Sequence, residues 1–332
     1  MPRPLLPRSL AAFVTTLCLA STAATQQLTD PLGVEVEQLK QTTARLAKLP
    51  AGENEGELDL PFAALCWRTL GLAGQGATLR MPPHKDELRA LVVEMRHRQD
   101  ANTGAFSLRI PARQRSEQLL GTFTATRMHL ESVYKLMQAT AQRGLDGTFR
   151  QFEGEQAAPA SADETALLAM LAATLGEKNV QADLAALRPR VAALAEAGAK
   201  HLDPKASRRD AAIERAVQVL LGAKLPADET LAHLWPGDLA ADPLHTFVAA
   251  FVVRDLAMPV REAQRDAAMA LLQRRRDDGL WPASGGYDAE TTSAMLCAAI
   301  GMLHRVKPSD RLGGQGPMDA VVPFPGGGRE LR

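Results

Sequence analysis

Two hydrophobic patterns alternate along the chain. In the first, apolar residues run almost without interruption, as in residues 163–171, 210–221, 242–253 and 288–296, and less cleanly in 60–72 and 117–125. A helix that is apolar all round is a helix buried on every side. In the second, apolar residues recur at three- and four-residue spacing between charged ones, as in residues 86–98, 129–143 and 261–276. That periodicity describes a helix with one wet face. The buried set predicts six inner helices, beginning near residues 61, 116, 163, 209, 242 and 288. Their amphipathic partners begin near 34, 85, 129, 181, 227 and 261, with Pro189 bending or interrupting the fourth.

The joints repeat as well. An acid, then Gly-x-aromatic, recurs in Asp100 to Gly104-Ala105-Phe106, in Asp146-Gly147-Thr148-Phe149 and in Asp278-Gly279-Leu280-Trp281. Phe106 and Phe149 lie 43 residues apart, and Trp235 falls between Phe149 and Trp281 on the same approximate period. A period near 44 residues suits a helix pair with a generous loop. The expectation is an all-α fold, an α/α toroid of about six helix pairs with inner and outer barrels. An open solenoid is the alternative. Phe106, Phe149, Trp235 and Trp281 are expected to be structural residues packed between neighbouring repeats.

Composition changes little in this picture. Hydrophobic residues make up 46% of the 332, and aromatics only 4%. The net charge is zero and basic residues alternate with acids, so no nucleic-acid partner is expected. Residues 1–24 read as a signal peptide: Arg3 and Arg8, an apolar run from Leu10 to Ala20, then Ser21-Thr22-Ala23-Ala24. The run is about half the length that spans a bilayer, roughly 20 residues. Export to the periplasm or beyond is therefore expected, with no integral membrane segment after cleavage. Residues 25–305 form the toroid domain, and the Gly/Pro-rich residues 306–332 form a tail outside it.

Export also bears on cysteine. Cys66 and Cys297 remain after cleavage and sit on the first and last inner helices, neighbours in a closed ring. A disulfide between them is geometrically allowed but not forced. No CxxC, HExxH, GxSxG or phosphate-loop pattern occurs, so no cofactor or metal is expected.

Leu271-Leu272-Gln273-Arg274-Arg275-Arg276-Asp277-Asp278-Gly279-Leu280-Trp281-Pro282 with Tyr287-Asp288 resembles the repeat of the terpenoid cyclase and protein prenyltransferase superfamily. Gln99 to Phe106 and Asp146 to Phe149 are weaker copies. The resemblance implies an α/α toroid. It also implies a catalytic acid at the head of an inner helix, where Ser161-Ala162-Asp163-Glu164-Thr165-Ala166 places Asp163. This sequence departs from the cyclase motif at Ser161 and Glu164. It lacks the prenyltransferase zinc set, since Glu290 stands two residues after Asp288 where those enzymes have cysteine.

Asp163, Glu164, Asp288 and Glu290 all fall at heads of inner helices, hence at one mouth of a ring whose inner helices run parallel. Helix heads favour acids in any case. Paired carboxylates are also what glycoside hydrolysis requires. Three functions follow. The leading one is an exported, non-catalytic toroid that binds a ligand or protein partner at its cavity or acidic mouth. The alternatives are a secreted carbohydrate-active enzyme, either polysaccharide lyase or glycoside hydrolase, and a terpenoid cyclase relative. A wide pocket with converging acids favours the carbohydrate enzyme, an aromatic apolar pocket the cyclase, and a filled ring centre the binding role.

Overall fold

The computed structural model describes residues 36–53, 57–79, 84–106, 114–130, 137–153, 158–205, 207–223, 242–255 and 270–303. The signal-peptide and tail expectations, the partner helix expected near 227, most of the one near 261, and Trp235 lie outside these residues.

Eleven helices are described: α1 (Val36–Leu46), α2 (Phe62–Leu79), α3 (Lys85–His97), α4 (Gln114–Leu130), α5 (Gln138–Gln151), α6 (Ala162–Leu175), α7 (Ala182–Ala185), α8 (Arg188–Ala199), α9 (Arg208–Leu220), α10 (Pro243–Asp255) and α11 (Ala289–Leu303). Helices α2, α4, α6, α9, α10 and α11 form the inner barrel. Each packs against the next, and α11 packs back on α2. The ring is closed. Helices α1, α3, α5 and α8 lie outside, on α2, α2, α4 and α6 respectively. The fold is therefore the all-α toroid that the alternating patterns predict.

Burial explains the two patterns. Every described residue of α6 from Glu164 to Leu175, and of α11 from Thr291 to Leu303, is buried. Helix α3 buries only Leu88, Leu91, Val92, Glu94 and Met95, one face of its thirteen residues. Pro189 interrupts its helix as expected: α7 ends at Ala185, and the proline sits in the first turn of α8, where its missing N–H costs nothing.

The seam between the first and last repeats is the tightest in the ring. A Cβ added at Gly71 would lie 2.7 Å from the Ala294 carbonyl oxygen, and one at Gly301 would lie 2.8 Å from Gly74 Cα. Backbone touches backbone along this line. Gly301→Leu is expected to force α2 and α11 apart, at a cost of about 1–3 kcal/mol or more. A thermal melt of the purified variant checks it; an unchanged midpoint would show that the seam yields freely.

The Gly-aromatic joints carry the second half of the closure. Gly104 and Gly279 have φ of 67° and 87°, a region open to glycine and strained for other residues. Each turn inserts beside the next outer helix. A Cβ at Gly104 would meet the Arg143 carbonyl of α5, and one at Gly279 would meet Gln41 of α1. The last turn thus reaches the first helix of the ring, where Gln41 Nε2 donates to the Asp277 carbonyl at 3.2 Å and the Thr42 hydroxyl donates to the Gly279 carbonyl. The aromatic then turns inward. Phe106 lies against Phe62, ring centroids 4.9 Å apart, and its amide and carbonyl both bond the Gln118 side chain of α4. Trp281 donates its amide to Ser293 of α11. Both polar partners stand twelve residues beyond the aromatic.

One expectation is corrected here. The joint at Asp146-Gly147-Thr148-Phe149 is not a turn: it lies within α5, because α4 continues to Leu130 and its partner starts only at Gln138. Gly147 is small for a different reason. A Cβ there would crowd the Thr103 and Gly104 carbonyls, so the helix packs flush on the preceding turn. Phe149 is buried, with the Arg190 guanidinium 4.0 Å from its ring centre. The disulfide that the sequence allows without forcing is not formed, and Cys66 and Cys297 are both buried as thiols. The Cys66 thiol hydrogen-bonds Thr124 of α4, while the Cys297 thiol lies within the field of the Arg275 guanidinium, so the two thiols have different neighbours. Burial pushes the Cys297 thiol up to about 12 and Cys66 higher still. Thiolate is the reactive form. Both cysteines are expected to resist thiol reagents at pH 8 until the chain is unfolded in denaturant; rapid labelling of the native protein would contradict their burial.

Candidate functional site: the mouth of the ring

All the inner helices start at one end of the ring. Side chains from their heads enclose a cavity of about 270 Å³. Ala63 and Trp67 come from α2, Ser116, Glu117 and Leu120 from α4, and Asp163 and Leu167 from α6. Arg209 comes from α9, Asp242 and Leu244 from the start of α10, and Gly285 and Tyr287 from the loop before α11. Every inner helix, or the loop leading into it, contributes to the wall.

Local sequence fixes these side chains. Ser161 caps α6 by accepting from the Glu164 amide at 3.2 Å, and Ser207 caps α9 by accepting from the Asp210 amide at 3.2 Å. Asp242 caps α10, its Oδ1 accepting from the His245 amide at 3.0 Å. Its other oxygen faces Arg209 Nε at 3.3 Å, and Arg209 Nη2 donates to Asp163 Oδ1 at 2.6 Å. One guanidinium therefore spans two carboxylates from different helices. Glu117 is the buried member of the set, 8% exposed. Below the rim the wall becomes apolar, with Trp67, Leu120 and Leu167 one turn further down their helices.

Deeper still the ring is solid. Trp67 meets Phe247 edge-on with centroids 5.0 Å apart, and Phe247 touches Phe123 and Phe251 at 6.1 and 6.2 Å. These four aromatics are fully buried.

Of the four acids expected at the mouth, Asp163 alone opens on this cavity. Glu164 is turned outward, where its Oε2 accepts from Arg115 and from the Ala160 amide, both at 2.7 Å. This pair is largely buried, with side chains 18% and 9% exposed. Removing one partner of a buried pair strands the other charge, at about 3–5 kcal/mol. Glu164→Leu is expected to lose stability on that scale in chemical denaturation, and a neutral result would mean that Arg115 finds solvent. Asp288 caps α11 through the Thr291 amide at 2.7 Å. Glu290 pairs with the buried Arg68, which also donates to the Leu46 and Lys48 carbonyls and so ties α11 to α2 and to the end of α1. Asp288 and Glu290 line a separate groove outside the ring centre.

Glu117, Asp242, Arg209, Trp67 and Tyr287 were not singled out as site residues from the sequence. A signal existed, because each stands in or just before the first two turns of an inner helix. Among the described residues no group of three or more His, Cys, Asp or Glu is placed to hold a metal, and no helix is long and apolar enough to cross a membrane.

Comparisons with known proteins now bear on the fold. The GH76A α-1,6-mannanase from Salegentibacter sp. HEL1_6 superimposes with a TM-score of 0.54, covering 81% of this chain and 99% of that one at 12% identity. At that identity the likeness is one of fold, and it places the chain among the helical toroids. No protein-family model matches the sequence, and no curated protein does. The toroid implied by the cyclase-like repeat stands; a cyclase or prenyltransferase kinship finds no support in these comparisons.

Proposed function

We propose that this chain is an exported glycan-acting protein of the glycoside hydrolase type, with its active site at the mouth of the toroid. The observation that carries the reading is the convergence of Glu117, Asp163 and Asp242 with Trp67 and Tyr287 in one cavity. Glycoside hydrolysis needs two carboxyl groups in different environments, one to protonate the leaving oxygen and one ionised. Glu117, buried at the cavity wall, is suited to the acid role. Asp163, with its side chain 37% exposed and held by Arg209, is suited to the ionised one. Tyr287, half-buried at the rim, offers an apolar ring to a sugar. The neighbouring toroid's being a mannanase supports the same reading. The export part of the reading rests on the leader-like pattern of residues 1–24.

A non-catalytic, ligand-binding mouth is the second reading. It is favoured by one observation: Asp163 and Asp242 already share the Arg209 guanidinium. A cyclase is disfavoured, because the aromatic centre is packed solid and the open cavity is lined by charged groups. The test is incubation of the purified mature chain with a polysaccharide panel that includes α-1,6-mannan. New reducing ends support hydrolysis. Binding without new ends supports the second reading. Neither binding nor cleavage of any member counts against both.

A further inference from the structure

The cavity has the shape of a cup, and its depth can be read from the helices. The rim residues Ser116, Glu117, Asp163, Arg209 and Asp242 stand at helix heads, and Tyr287 stands just before one. The floor residues Trp67, Leu120 and Leu167 lie about one turn below, a drop of roughly 5 Å at 1.5 Å per residue. Beneath them the Trp67–Phe247–Phe123–Phe251 cluster closes the centre. The volume of about 270 Å³ lies just below the roughly 300 Å³ at which drug-sized ligand sites start. Among the described residues all six repeats contribute to the wall, so the cavity is ringed on every side by the heads of inner helices or the loops leading into them.

One further feature describes the occupant. The described lining carries Glu117, Asp163 and Asp242 against the single guanidinium of Arg209, which opposes the entry of an anionic ring.

Resting on the glycan reading above, we propose that the mouth takes the terminal ring of an uncharged glycan chain, end-on and one ring deep, and does not grip a chain in mid-course. A polymer-degrading enzyme that cuts internally needs a groove; a blind cup selects ends. If the cup cleaves, water adds across the terminal glycosidic bond: the anomeric carbon gains the hydroxyl and the leaving oxygen gains the proton.

The test uses the purified mature chain with linear gluco- and manno-oligosaccharides of two to six rings, tagged at the reducing end. The proposal expects free monosaccharide and the tagged chain one ring shorter as the only early products. Where there is no turnover, it expects an affinity that stops rising beyond two rings. Oxidising the terminal ring to a uronate is expected to weaken binding or turnover at least tenfold. Internal fragments as early products, affinity that climbs with every added ring, or equal use of the uronate-terminated series would each overturn end-on recognition while leaving the glycan reading intact. No interaction with any oligosaccharide would sink the glycan reading itself, and this inference with it.

Discussion

Replacing Trp281 with alanine is expected to cost roughly 3–5 kcal/mol of unfolding free energy, a large share of the 5–15 kcal/mol typical of a folded domain. Trp281 is fully buried. Its indole N–H donates to the Leu271 carbonyl at 2.8 Å, and its amide donates to Ser293 Oγ at 2.9 Å. Truncation leaves a cavity and removes one of the two hydrogen bonds that the Leu271 carbonyl accepts, the other coming from the Arg274 amide. It also loosens the turn that Gln41 and Thr42 of α1 hold, so the damage falls where the ring closes. Phenylalanine would refill most of the volume without the N–H, and its cost should fall between wild type and alanine. Chemical denaturation of the three proteins measures this order. An unchanged midpoint for the alanine variant would mean that the side chain is not packed as described.

The second large effect concerns activity. Glu117→Gln and Asp163→Asn each keep the shape of the side chain while removing its acid–base chemistry. Loss of a general acid or base costs about 10²–10⁴-fold in rate. Each variant is expected to lose that much glycan hydrolysis with melting temperature nearly unchanged. Glu164→Gln and Glu290→Gln, turned away from the cavity, should lose stability before they lose turnover. If Glu290→Gln abolished activity in a folded protein and Asp163→Asn did not, the chemistry would belong to the outer groove.

The architecture was legible because burial is written twice in this chain. Helices α6 and α11 are apolar nearly all round, a pattern too short here to span a bilayer and suited to a helix buried on every side. Ring closure was legible only in part. The glycines that let α2 meet α11 at Gly71, Gly74 and Gly301 look like ordinary helix glycines until the partner backbone is known. The joint at Phe149 misled for a related reason. Asp146-Gly147-Thr148-Phe149 has the residues of a turn, but its glycine serves close packing inside α5. The four acids named from the sequence were indeed at helix heads, yet a head position does not tell which way the side chain faces. Glu164 and Asp163 are adjacent, so the helical rotation between them, about 100°, sends one to Arg115 and the other to the cavity. Glu117, Asp242 and Arg209 were hidden by the same ambiguity, being indistinguishable in sequence from cap and first-turn residues.

The most direct test of the central claim is a crystal structure of the Glu117→Gln variant soaked with a short oligosaccharide that the wild-type chain binds or cleaves. The account predicts one sugar ring in the cup, its face on Tyr287 and its glycosidic oxygen beside residue 117 and Asp163. A sugar seated in the Asp288–Glu290 groove, with the cup empty, would contradict it.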